Sequence, residues 1–239
     1  MLKRLRSNPS GLHLVLMLAL TFSTGVIDAV GYLGLDRVFT GNMTGNVVIL
    51  GMGLVGADDL PIVGPFIALI AFMLGALVAG RTLRPVEAGW TTHSTWLFTI
   101  VGAIIAAAAV AAFVVGTGMP QWLEFSITGA LGLAMGLQAG AARHIAVKDV
   151  TTVVVTSTLV GLAFDSRFGG TAKQQWKRRL GAVLLIGAGA AAGAALLRLD
   201  LGWGMALSAA ISILVAIVGH LGRPAPAPTP DVEGRVSAA

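Results

Sequence analysis

The sequence has no cysteine, a single tyrosine and little charge: 11% of its 239 residues are Asp, Glu, Lys or Arg, about half the share usual in soluble domains. Without cysteine there is no disulfide and no thiolate metal site. The shortage of charge stands against 56% hydrophobic residues and a mean hydropathy of +0.85. That composition leaves too little polar surface to keep a globule of this length in water, so a soluble protein is excluded. Catalytic patterns are missing as well. His13, His93, His144 and His220 are scattered, HExxH and GxSxG do not occur, and no glycine-rich turn follows a strand pattern. Neither enzymatic activity nor a cofactor or metal is expected. The pI near 10.4 arises from short basic clusters between apolar runs, without interleaved aromatics. Such clusters read as membrane topology, and a nucleic-acid partner is excluded.

What is present is a series of apolar runs. A membrane-crossing helix needs roughly 20 mostly apolar residues, and six runs qualify, at 11–35, 60–80, 95–116, 121–142, 179–197 and 201–219. The first follows Lys3, Arg4 and Arg6, as in a secretory signal, but its apolar stretch continues past any cleavage site and predicts a retained helix. Two further runs, Val38 to Gly56 and Val150 to Phe164, are shorter or richer in Thr, Asn and Gly. If all eight segments cross, 10 of the 16 basic residues fall on one side. If the two short segments enter and leave on one side, Arg81, Arg84, Arg143 and Lys148 join them, and 14 of 16 do. The positive-inside rule favours the second plan, with both termini cytoplasmic. The expected fold class is therefore all-α: a polytopic membrane helix bundle of six crossings plus two short polar helices, re-entrant or short-spanning.

The chain also shows an internal repeat at an offset of 110 residues. Asp28 falls on Gln138, Ala29 on Ala139, Asn42 on Thr152, Asn46 on Thr156 and Gly51 on Gly161. With six crossings the two halves run in opposite directions, which makes an inverted repeat. The organisation is then a basic cytoplasmic N-terminus (1–10), a first membrane repeat (11–116), a second (117–222) and a disordered Pro-rich tail (223–239). Inverted repeats set discontinuous segments face to face near the midplane, where helix ends and freed backbone groups can serve a solute. Water and formate channels share this general plan, an analogy of fold alone.

Candidate pathway residues follow from cost. Asp28 sits in the apolar run GVIDAVGYLGL, where a carboxylate requires a partner, a proton or a wet cavity. It is a gate or a proton or cation site, or else a hydrated or bonded group near the interface. Asn42 and Asn46 are four apart, as are Thr152 and Thr156, so each pair shares one helix face. Thr40, Thr44 and Thr151 add hydroxyls, and together with Gln138 these groups outline a neutral hydrogen-bonding path. The competing reading is that such residues hold membrane helices together. Arg143 and Asp149 frame the entry to the second polar segment or pair with each other. Arg81, Arg84, Lys177, Arg178 and Arg179 read as anchors against anionic lipid. The small residues of GAVLLIGAGAAAGAALL, Gly187 and Gly193 among them, fit close helix packing.

The segments GVIDAVGYLGLDRVFTGNMTGNVVILGMGL and AMGLQAGAARHIAVKDVTTVVVTSTLVGLAFD resemble the YoaK family of small bacterial membrane proteins over about residues 12–220. The marks are Asp28-Ala29, Asn42-Met43-Thr44-Gly45-Asn46, Gly136-Leu137-Gln138 and Asp149-Val150-Thr151-Thr152. The resemblance implies a bacterial inner-membrane location and supplies no activity. The expected function is a channel or secondary transporter for a small solute or ion; the alternative is a non-transporting scaffold or accessory subunit. The expected partners are the lipid bilayer and the solute, and a homo-oligomer stays open.

Overall fold

At 1.5 Å per residue, a helix of 21 residues is about 32 Å long, enough for a hydrocarbon core of roughly 30 Å. The computed structural model describes residues 8–116, 118–147, 155–165 and 176–223. Within them lie eight α-helices: α1 (Pro9–Gly34), α2 (Met43–Leu54), α3 (Val63–Leu83), α4 (Thr92–Val115), α5 (Gln121–Ile145), α6 (Val155–Phe164), α7 (Trp176–Leu196) and α8 (Leu201–Leu221). Six of these, α1, α3, α4, α5, α7 and α8, are long and apolar enough to cross a membrane. The 12 residues of α2 and the 10 of α6 rise only about 18 and 15 Å, too little to span. The chain is thus a polytopic all-α membrane bundle, and the six expected runs fall on its six long helices.

Local sequence sets the helix starts. Asn8 caps α1 by accepting from Gly11 N at 2.9 Å, with Pro9 in the first turn. Thr91 and Ser94 form a reciprocal capping box on α4, and Asp200 accepts from Gly202 N at 2.7 Å on α8. In a membrane these caps matter more than in water, because an unpaired amide there has no solvent to bond.

Contacts at the two ends of the bundle trace the path of the chain. At one end, the indole of Trp90 lies 5.8 Å from the His13 ring, and Gly219 packs against that indole. His144 Nε2 sits 2.9 Å from the Glu87 carbonyl at the same end. At the other end Gly34 packs on Leu197 and Leu201, and Gly202 on the Phe113 ring. Gly64, at the start of α3, lies against Asp36 and Val38 just beyond the end of α1. The link from α1 to α3 therefore returns to the end it left, as does the link from α5 to α7. Among the described residues, Arg81, Arg84, Arg143, Lys177, Arg178, Arg179 and Arg223 gather at the first end and only Arg37 and Arg198 at the second. The first is called the basic end below.

Helices α1 and α5 are the most enclosed crossings, each with 61% of its apolar window buried. Each is held by a glycine crossing. On α1, a Cβ at Gly25 would fall 2.1 Å from the Ile186 carbonyl oxygen of α7, and one at Gly189 of α7 would fall 2.0 Å from that of Phe22. On α5, a Cβ at Gly136 would fall 2.1 Å from the Phe72 carbonyl oxygen of α3, and one at Gly75 of α3 would fall 2.2 Å from that of Leu133. Only glycine permits such backbone approach. One expectation is corrected here: Gly193 packs on Val26, but Gly187 meets nothing within 4 Å, and Gly189 is the contact residue in its place.

Candidate functional site

Beyond α1 the chain turns back along it. Val38 N donates to the Gly31 carbonyl at 3.3 Å, an approach that bare Gly31 allows, since a Cβ there would sit 2.4 Å from the Val38 oxygen. Two residues on, Thr40 N and Gly41 N donate to Asp28 Oδ1 at 3.0 and 2.7 Å. The buried carboxylate thereby satisfies two amides of a non-helical stretch that has no helix ladder of its own. Asn42 then caps α2, its side-chain oxygen accepting from Gly45 N at 3.3 Å. One turn further, Asn46 clasps the backbone of Phe39 at both edges. Its Oδ1 accepts from Phe39 N at 2.9 Å and its Nδ2 donates to Phe39 O at 2.5 Å. The Phe39 ring stacks on Tyr32 of α1, centroids 4.9 Å apart. Residues 35–42 are thus fastened to α1 at Asp28 and to α2 at Asn46.

This arrangement opens a cleft of about 640 Å³. Asp28, Asn42 and Thr44 line it from the first half of the chain, and Val155 and Thr156 from the second. Phe72 and Ile186 complete its wall; they stand tenth and eleventh in the 21-residue helices α3 and α7, so the cleft lies at mid-depth. From it α2 rises toward the end opposite the basic one. Helix α6 heads the other way, its C-terminal turn tied to the start of α7 by Arg179, whose Nη1 reaches Gly161 O and Asp165 Oδ2, each at 2.6 Å.

The expected residues divide accordingly. Asp28, Asn42, Thr44 and Thr156 meet at the cleft. Thr40 is buried behind it, with its amide on Asp28, and Asn46 is turned to the Phe39 backbone. Gln138 is fully buried away from the cleft, donating from Nε2 to Thr24 Oγ1 at 3.0 Å across the α1–α5 contact. Arg143 stands at the basic end, in a separate cleft. Asp149, Thr151 and Thr152 lie outside the described residues. The sequence pattern predicts a lipid anchor at Arg179, whereas its guanidinium is mostly covered and pairs with Asp165. The acid follows α6 and the base lies on α7, 14 residues on, so no pattern within one helix signals the pair.

Two short helices starting from a shared mid-depth cleft, inside six long apolar ones, define a polytopic α-helical membrane protein. A family model described as a protein of unknown function (DUF1275) matches residues 16–218, and the chain belongs to that family. It is 30% identical over 151 residues to the UPF0700 transmembrane protein YoaK of Bacillus subtilis (strain 168), covering 63% of this chain and 65% of that protein. The matched part thus spans slightly less than two thirds of that relative. No solved structure matches.

Proposed function

We propose that the chain is a channel or secondary transporter for a small polar solute or ion, with the mid-depth cleft as its narrow point. The observation that carries this reading is the convergence of Asp28, Asn42 and Thr44 with Thr156 on one cleft halfway along the crossings. Neutral hydrogen-bonding groups there can replace part of a solute's hydration, and the positive end of α2 adds a fixed partial charge. On this reading the chain passes a solute and catalyses no reaction.

A likeness in packing between the two halves supports the proposal and its inverted repeat. The α1–α7 and α5–α3 crossings correspond, with Gly25 matching Gly136 and Gly189 matching Gly75. This packing register sets Gly136 111 residues after Gly25, one more than the polar residues indicate by themselves. In that register Asp28 corresponds to Ala139, so the carboxylate has no counterpart in the second half. The excess of basic residues, by the positive-inside rule, supports a cytoplasmic basic end and cytoplasmic termini in a bacterial inner membrane.

Liposomes holding the purified protein test the reading by stopped-flow light scattering with water, glycerol, formate and ammonium as probes. At least one should enter faster than into protein-free liposomes, and Thr44→Trp or Thr156→Trp, each filling the cleft, should abolish that flux. Inert liposomes for every probe, or flux indifferent to both variants, would reject the pathway. Inert liposomes together with stable co-purification of one membrane protein would establish the scaffold instead.

A further inference from the structure

We infer that the basic end of α3 and α5 binds an anionic phospholipid, with its headgroup at that end, away from the mid-depth cleft. A cleft of about 730 Å³ there is lined by Arg81, Arg84, Arg143 and His144, with Leu77 and Gly140 beneath them. No acidic side chain lines it among the described residues; Glu87 reaches His144 only through its backbone carbonyl. The three guanidiniums are exposed and make no ion pair among the described residues. Arg81 and Arg84 are one helical turn apart and repel each other, a cost that a bound anion reverses.

What singles out a lipid over a free anion is the adjoining surface. An apolar groove of about 490 Å³, lined by Ile70, Met73 and Leu74, shares Ala76 and Leu77 with the basic cleft. It runs from the last turns of α3 toward mid-depth, as an acyl chain does below its phosphate. Headgroup charge at the helix ends and a greasy track leading inward together match one glycerophospholipid. A clustered basic pocket between crossings is a recurrent form of such recognition.

The test uses the full chain in detergent, incubated with dioleoylphosphatidylglycerol, dioleoylphosphatidylcholine or sodium phosphate, with retained lipid counted by native mass spectrometry and melting followed in parallel. Phosphatidylglycerol should be retained and should raise the melting temperature; phosphatidylcholine and phosphate should do neither. The triple variant Arg81→Gln, Arg84→Gln, Arg143→Gln should weaken retention on the order of 100-fold. The equally charged control Arg37→Gln, Arg198→Gln, Arg223→Gln should keep it. If the triple variant does not fold, Arg143→Gln alone should weaken retention roughly fivefold. Equal retention by both triple variants, undiminished retention by Arg143→Gln, or a thermal shift from phosphate alone would overturn the inference.

Discussion

Gly41 N lies 2.7 Å from Asp28 Oδ1, thirteen residues earlier in the chain, and that bond holds a non-helical stretch at mid-depth in an apolar bundle. If the carboxylate acts chiefly as an acceptor, Asp28→Asn retains the oxygen that both amides use and exchanges the other, with the charge, for an NH2. Asp28→Ala leaves two buried amides unpaired, a loss of about 3–4 kcal/mol, with Asn near half of that. Melting temperatures should therefore rank wild type, Asp28→Asn, Asp28→Ala. An Asn variant as unstable as Ala would show that the charge itself is required.

Asn46 donates and accepts on one residue, Phe39, so it is the amide that matters. Asn46→Asp removes the donor and sets a carboxylate against the Phe39 carbonyl. This variant should melt at or below Asn46→Ala, by about 2 kcal/mol or more relative to wild type. An Asp variant of native stability would contradict the clasp.

The two glycine crossings should fail alike. Gly25→Ala and Gly136→Ala each press a methyl onto a carbonyl at 2.1 Å, and overpacking of this kind costs typically 1–3 kcal/mol or more. Gly187→Ala, with nothing within 4 Å, should be neutral and serves as the control. Folded yield and melting temperature read all three. A tolerated Gly136→Ala beside a damaging Gly25→Ala would argue against equivalent halves.

Topology is directly readable because the chain has no cysteine of its own. Single cysteines at Asp59 and Met119 should be labelled by an impermeant maleimide from one side of the membrane, and those at Glu87 and Arg223 from the other. A further cysteine at Arg37 should label from the same side as Asp59; labelling of the two from opposite sides would mean that α2 crosses and the two-ended chain path is wrong.

Much of this was legible beforehand, for identifiable reasons. Long apolar runs report themselves because lipid demands about 20 such residues, and α1 through α8 carry that demand at six places. Asp28 and Asn46 were visible because polar groups in such runs are costly. Their partners were not, since both bond to backbone atoms of residues 39–41, and a backbone amide has no letter in a sequence. Matching polar residues gives an offset of 110, whereas the similar close approaches at Gly25 and Gly136 lie 111 apart, because a sequence does not display packing contacts. Gln138 drew attention as a polar residue within a helix, yet it ties α5 to α1 through Thr24. Polarity marks a need for a partner without saying whether the partner is a solute or a neighbour.

The glycine crossings also order events during synthesis. Gly25 of α1 makes its close approach to α7, and Gly75 of α3 makes its own to α5, so each half of the chain supplies a partner for the other. A nascent chain inserted as far as α4 has its most enclosed helix still facing lipid, with the notch at Gly25 awaiting Ile186, far downstream. The ribosome must therefore release nearly the whole protein before the first helix can close its packing, and the two halves, made as separate chains, should still find each other in the membrane.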